Sequence, residues 1–205
     1  MTEIEKCVVR AITPADYAAV FALYRSYMEN TAFTLDEDVS EAEFYARIQA
    51  LAGVYPWLVC EVGGHFAGYA YAGPFKPRAG YRYTAELSVY VAPDFQKTGV
   101  GRRLYEALMA ILRAQNVCRA YVMIAVPNEA SIAFHRALGF QECARLERVG
   151  YKFGQWHDMA LLCRVLREGE APGAFIPVRD VSLQAAVQNG KTDSGEEEHA
   201  QHLLH

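Results

Sequence analysis

The stretch Thr84-Ala-Glu-Leu-Ser-Val-Tyr-Val91, Ala92-Pro-Asp-Phe95, Gln96-Lys-Thr-Gly-Val-Gly101, Arg102-Arg-Leu-Tyr-Glu-Ala-Leu108 decides how this chain folds. Its first eight residues alternate polar and apolar side chains and are rich in β-branched and aromatic types, which predicts a strand. Pro93 ends that strand. Gly99 and Gly101 let the backbone turn tightly, and a helical pattern of apolar residues begins at once. A strand that feeds a glycine turn at a helix N-terminus makes an anion site, because unpaired backbone N–H groups and the helix dipole point the same way.

Upstream of this stretch, residues 6–12 read as a first strand. Thr13 is placed to cap a helix with Pro14 at its first position, and Ala18, Phe21, Ala22 and Tyr24 give that helix an apolar face. Ser40 and Glu43 form a capping-box pattern that opens a second helix toward Leu51. Gly63-Gly64 separates two strand-like runs, 55–62 and 65–72, and predicts a hairpin. Residues 74–80 form a breaker-rich loop that carries Lys76 and Arg78. Downstream, the central helix runs to about Gln115, with Asn116 as the residue past its end. An apolar strand follows over 118–126, then a short helix capped by Asn128 or Ser131 and ending at Gly139. Residues 140–147 and 156–165 read as closing strands with a turn over 150–154. The order is β-α-α-β-β-β-α-β-α-β-β, an α/β domain around one sheet.

Composition narrows the function. A chain of 205 residues with 52% hydrophobic residues supports one folded domain, here 1–166. From Arg167 the periodicity fades through Pro172, Pro177 and Glu196-Glu-Glu198, which predicts a weakly ordered C-terminal extension over 167–205, docking through Phe175-Ile176. The net charge of −4 and the absence of any Lys/Arg run speak against a nucleic-acid surface. No apolar run is long enough to span a membrane, and the N-terminus lacks the apolar core of a signal peptide. Five scattered cysteines, Cys7, Cys60, Cys118, Cys143 and Cys163, include no C-x-x-C pair. That usage predicts reduced thiols in the cytoplasm and no metal site.

Two familiar phosphate loops fail. Walker A requires Lys-Ser/Thr after its last glycine, where Arg102-Arg103 stand, and the dinucleotide fingerprint requires a small residue where Leu104 stands. What remains, Gln96-x-x-Gly99-x-Gly101 after Val-Tyr-Val-Ala-Pro93, resembles the acyl-CoA loop of the GNAT N-acetyltransferases; an ordinary glycine turn before a helix is the alternative. Flanking runs extend the resemblance: Tyr55-Pro-Trp-Leu-Val59, Gly68-Tyr-Ala-Tyr-Ala-Gly-Pro74, Asn128-Glu-Ala-Ser-Ile132, Leu138-Gly-Phe140 and Gly150-Tyr-Lys-Phe-Gly-Gln-Trp-His-Asp158. Over residues 6–165 the chain resembles the phosphinothricin (methionine sulfoximine) acetyltransferase branch of that superfamily.

The resemblance implies the GNAT fold, an α/β domain whose mixed, mostly antiparallel sheet is flanked by helices and splays apart at the cofactor site. It implies acetyl-CoA as co-substrate, no metal, a homodimer and direct acetyl transfer to a small amino acid or analogue. Acetyl-CoA would lie between residues 86–91 and 118–126, with its pantetheine arm on Val89, Tyr90 and Val91. Its pyrophosphate would meet the backbone of Gln96, Lys97, Thr98, Gly99, Val100 and Gly101, with Asn128 and Ser131 near the pantetheine end. Glu86 matches the branch's catalytic base; a strand-edge carboxylate paired with arginine is the alternative. His135 stands where many relatives carry a tyrosine acid, so it would donate a proton or serve the base relay; a packed helix-face histidine is the other reading. Arg78 and Arg82 match residues that grip a substrate carboxylate. Thr31, Phe33 and Tyr81 would line the side-chain pocket, although core packing explains Phe33 as well. Trp156 and His157 match a segment near the pocket or a dimer partner. Another acceptor (a polyamine, an aminoglycoside or a protein N-terminus) and a non-catalytic CoA-binding module are the competing functions.

Overall fold

The computed structural model describes residues 7–169 and 172–182. Its strands are β1 (Cys7–Ala11), β2 (Trp57–Val62), β3 (His65–Pro74), β4 (Thr84–Val91), β5 (Arg119–Val126), β6 (Gln141–Lys152) and β7 (Gln155–Val165). Its helices are α1 (Tyr17–Asn30), α2 (Glu41–Leu51), α3 (Val100–Ala114) and α4 (Glu129–Arg136). The chain order is the one the sequence patterns predict.

The local signals act as expected. Ser40 Oγ accepts from Glu43 N at 3.3 Å while a Glu43 carboxylate oxygen accepts from Ser40 N at 2.9 Å, closing a reciprocal cap on α2. Asn128, not Ser131, caps α4, its side-chain oxygen accepting from Ser131 N at 3.1 Å. Asn116 takes φ +67° just past α3. At α1 the chain first makes a 3-10 turn over Pro14–Asp16, so the α-helix proper starts at Tyr17.

The strands form one sheet in the order β1-β2-β3-β4-β5-β7-β6. Every pairing is antiparallel except β4 with β5. This is the mixed, mostly antiparallel sheet that the resemblance implies. Helices cover both faces. Leu104, Leu108, Ile111 and Leu112 of α3 pack with Leu58, Leu87, Val122 and Leu162 on one face. Phe21, Tyr24, Phe44 and Ile48 of α1 and α2 pack with Trp57, Val59 and Tyr69 on the other. Apolar surface buried on both sides holds the central strands in place.

The parallel pair is short. It pairs Thr84 with Arg119, Ala85 with Ala120 and Glu86 with Tyr121, and there it stops. Beyond that rung β4 stays paired to β3 as far as Val91, and β5 stays paired to β7 as far as Val126. The two strands therefore part in the middle of the sheet, and the inner edge of β4 from Leu87 to Val91 loses its strand partner.

One closing strand differs from its prediction. β6 does not end near 147; it runs on to Lys152, and the turn is Phe153-Gly154. A register shift between Leu146 and Gly150 bulges the intervening residues out of the ladder, so the glycine that reads as a turn is a strand residue beyond a bulge. Of the C-terminal extension expected from 167 onward, residues 172–182 lie against the domain. Ile176 N donates to Gln115 O, Val178 N donates to Val54 O, and Phe175 packs on Tyr55. Residues 170–171 and 183–205 of that expectation lie outside the described residues.

Candidate active site

A cleft of about 460 Å³ opens where β4 and β5 part. Leu87 to Val91 and Val122 to Ala125 form its walls; Gln96, Lys97, Gly99, Gly101 and Arg102 close one end, and Asn128, Ser131, Phe134 and His135 close another. Of the residues expected at a cofactor, Val89, Tyr90, Val91, Gln96, Lys97, Gly99, Gly101, Asn128 and Ser131 are thus brought together. Thr98 and Val100 are not in the lining. Thr98 Oγ1 donates to Phe95 O at 2.6 Å and Val100 is buried in the core.

Gly99 caps α3 with φ +92° in the left-handed region, and a Cβ there would meet nothing within 4 Å. Its requirement for glycine is therefore conformational, not a matter of space. At Gly101 a Cβ would sit 3.4 Å from the Phe134 ring and 3.5 Å from Val91 Cγ2, at contact distance without a clash. The first N–H groups of α3 have no intrahelical acceptor and point out of the helix at its positive end, the arrangement that receives phosphate. An open strand edge, a glycine-turned helix N-terminus and an apolar wall fit a long, phosphate-bearing thioester such as acetyl-CoA.

Two residues outside the sequence prediction tie this wall together. Tyr27 Oη donates to Val91 O at 3.0 Å, and Gln96 Nε2 donates to Tyr27 Oη at 3.2 Å. Tyr105 is fully buried at the cleft and hydrogen-bonds His135. Neither has a motif of its own. Only the stacking of α1 and α3 on opposite faces of the sheet brings them here.

Glu86 occupies the last closed rung, directly before the first lining residue of β4. Burial pushes its carboxyl pKa up, with the nearby Lys76 charge opposing. No salt bridge to arginine holds it among the described residues.

His135 is only 4% exposed. Its Nδ1 lies 2.7 Å from Ser131 O, which can only accept, so Nδ1 carries the proton. Nε2 then accepts from Tyr105 Oη at 3.1 Å. Desolvation lowers the imidazole pKa to about 4, against a weaker opposing pull from the Ser131 carbonyl. At neutral pH the ring is uncharged, so an imidazolium acid is not what this position supplies.

The acceptor side is less assembled than the sequence implies. Phe33 lines the cleft and is half exposed. Thr31 does not line it: its hydroxyl donates to Tyr27 O at 2.8 Å and finishes α1. Arg78 precedes and Tyr81 ends an exposed 3-10 turn over Ala79–Tyr81 outside the lining, and Arg82 Nε is engaged with Ala79 O at 2.9 Å. Short-range turn formation holds these groups at the surface. Among the described residues no group of three His, Cys, Asp or Glu side chains is placed to hold a metal, and no helix is long and apolar enough to cross a membrane.

A sheet split at a parallel pair, with a helix N-terminus at the end of the split, defines an N-acetyltransferase of the acyl-CoA-binding type. Residues 9–161 match the acetyltransferase (GNAT) domain, and the chain belongs to that family as an acetyl-CoA-dependent N-acetyltransferase. It is 38% identical to a phosphinothricin N-acetyltransferase of Streptomyces viridochromogenes over 85% of this chain and 94% of that one. It is 39% identical to an L-methionine sulfoximine/L-methionine sulfone acetyltransferase of Salmonella typhimurium, over 81% of this chain and 98% of that one. Among solved structures, a GNAT superfamily phosphinothricin acetyltransferase from Sinorhizobium meliloti in complex with AcCoA superposes with a TM-score of 0.78 at 33% identity, covering 82% of this chain and 94% of that one.

Proposed function

We propose that this enzyme acetylates the α-amino group of a small amino acid or analogue of the phosphinothricin, methionine sulfoximine or methionine sulfone type. The observation that carries the reading is a coincidence at one rung: the half-buried carboxylate of Glu86 stands where β4 and β5 begin to part. Bound acetyl-CoA supplies an acetyl group activated as a thioester. The open edge of Val89 to Val91 would pair with its pantetheine arm, the backbone of residues 96–101 would meet its phosphates, and Asn128 and Ser131 would flank the arm at α4.

An α-amino group is mostly protonated at neutral pH and must lose a proton before it attacks. The Glu86 carboxylate is the group at the rung that takes it, and its raised pKa brings it closer to the pH at which it works. Backbone N–H groups on the open edge of β4 face the position where carbonyl charge develops. The neutral His135 holds the Tyr105 hydroxyl at the cleft wall, and this pair is the proton-bearing couple on the α3–α4 side. None of the five cysteines lines the cleft, in keeping with direct transfer and no acyl-enzyme. Arg78, with Arg82 and Tyr81 on the same surface turn, is assigned to the acceptor carboxylate at the rim, and Phe33 to its side chain.

We further propose a homodimer in the cytoplasm. Among the described residues the outer strand β6 is an uncovered sheet edge, and Val149, Tyr151, Phe153 and Trp156 are each more than half exposed on its hairpin, an apolar surface suited to a second copy. All five cysteines are free, in keeping with a reducing compartment. Thiol release from acetyl-CoA, followed with a panel of acceptors, tests the function. Methionine sulfoximine, methionine sulfone and phosphinothricin should drive turnover. Faster release with spermidine, an aminoglycoside or a peptide amino terminus overturns the amino-acid assignment.

A further inference from the structure

The β6–β7 hairpin contains an ammonium group for which the chemistry described above has no use. Lys152 is 1% exposed. Its Nζ donates to the carbonyl oxygens of Met28 at 2.7 Å, Thr31 at 3.0 Å and Thr34 at 2.8 Å. An ammonium has three donors, and all three are taken by backbone more than a hundred residues away in the chain. Burial of a cation is unfavourable unless its surroundings compensate. Here Met28 O belongs to the last turn of α1, at the negative end of that helix, and the Phe153 ring faces Nζ at 5.0 Å.

The hydrogen bonds converge on the segment that reaches the acceptor side of the cleft. On β6 the alternation turns Gly150 and Lys152 to the same buried side, with Tyr151 exposed between them. Gly150 receives Leu35 so closely that a Cβ there would come within 2.5 Å of Leu35 Cδ1. Thr34 Oγ1 pairs with Tyr24 Oη at 2.9 Å, and Asp36 accepts from Tyr24 and Arg47. Between these anchors stands Phe33, the one residue of the segment that lines the cleft.

We infer that Lys152 is a positioning residue: by binding Met28, Thr31 and Thr34 it holds segment 31–36, and with it Phe33, against the acceptor mouth, and so sets affinity for the acceptor amino acid and not for acetyl-CoA. The inference rests on the acceptor assignment proposed above. Lys152→Met keeps the length of the side chain and removes the three donors. The acceptor KM should rise tenfold or more while the acetyl-CoA KM stays within twofold, and amides of 31–36 should exchange hydrogen faster while those of α3 do not. A double-mutant cycle with Phe33→Ala reads the connection, because the two effects on acceptor KM should fall short of their product. Should Lys152→Met fail to fold, Lys152→Arg, which keeps the cation but spreads its donors over a planar fork, carries the same measurements with a smaller expected shift. Unchanged acceptor KM, an equal rise in both KM values, or unchanged exchange over 31–36 overturns the inference. A wild-type enzyme that acetylates no amino acid overturns instead the reading on which it rests, and the exchange comparison then still decides whether Lys152 holds the segment.

Discussion

At the scale of single residues, loss of water moves Glu86 and His135 in opposite directions. A carboxyl group is easier to bury protonated and an imidazole easier to bury neutral, so the first pKa rises and the second falls. For Glu86 as base, turnover needs the ionised form and is lost as pH falls through the raised pKa. The acid limb of kcat/KM should therefore lie above the ordinary carboxylate range. Glu86→Gln should remove that limb and lower kcat by roughly 10²–10⁴-fold; an unchanged rate and profile would show that Glu86 is not the base. His135 carries a stability prediction. Its folded pKa of about 4 lies below its unfolded value of about 6.5, so its contribution is fully present above about pH 6.5. As pH falls from there toward 4 the unfolded chain gains a proton that the folded one refuses, at a total cost of roughly 3 kcal/mol. Thermal unfolding at a series of pH values should show this decline, and His135→Gln should flatten it.

At the scale of elements, the strand–turn–helix unit of β4 and α3 was legible because all its signals are local. Alternation, a proline stop, a glycine turn and an amphipathic helix lie within one continuous stretch. Gly99 offers a test of that unit, since an added Cβ would meet no neighbour and only its φ of +92° would be strained. Gly99→Ala should cost about 1 kcal/mol of stability and raise the acetyl-CoA KM severalfold, while the acceptor KM barely changes. Equal stability and KM would mean that the left-handed cap is not needed for the cofactor turn. β6 shows where local signals stop. Gly150 read as a turn residue because glycine is the usual sign of one. Its actual constraint is the side chain of Leu35, which no local window contains. Thr31 is a different case, since its hydroxyl bonds Tyr27 O only four residues back and serves the end of α1.

At the scale of the whole molecule, the exposed aromatic residues and the buried Lys152 belong to one hairpin, so the proposed dimer face lies back to back with the clamp on the acceptor segment. Sedimentation or light scattering should give twice the chain mass for the wild type, and Tyr151→Ser with Trp156→Ser should shift it toward the monomer; a wild-type monomer refutes the dimer. The sequence by itself determined the element order, the cap of α2, the glycine turn before α3 and the strand that carries Glu86. Those features depend on side-chain periodicity and on hydrogen bonds between residues a few positions apart. Only the tertiary structure decided that the parallel pair stops at Glu86 and Tyr121, that the Tyr105 hydroxyl donates to Nε2 of His135, and that Lys152 reaches Met28, Thr31 and Thr34. Each of these joins groups distant in the chain through packing on a shared sheet. Desolvation then sets the protonation of Glu86 and His135, and it exists only once that packing has excluded water.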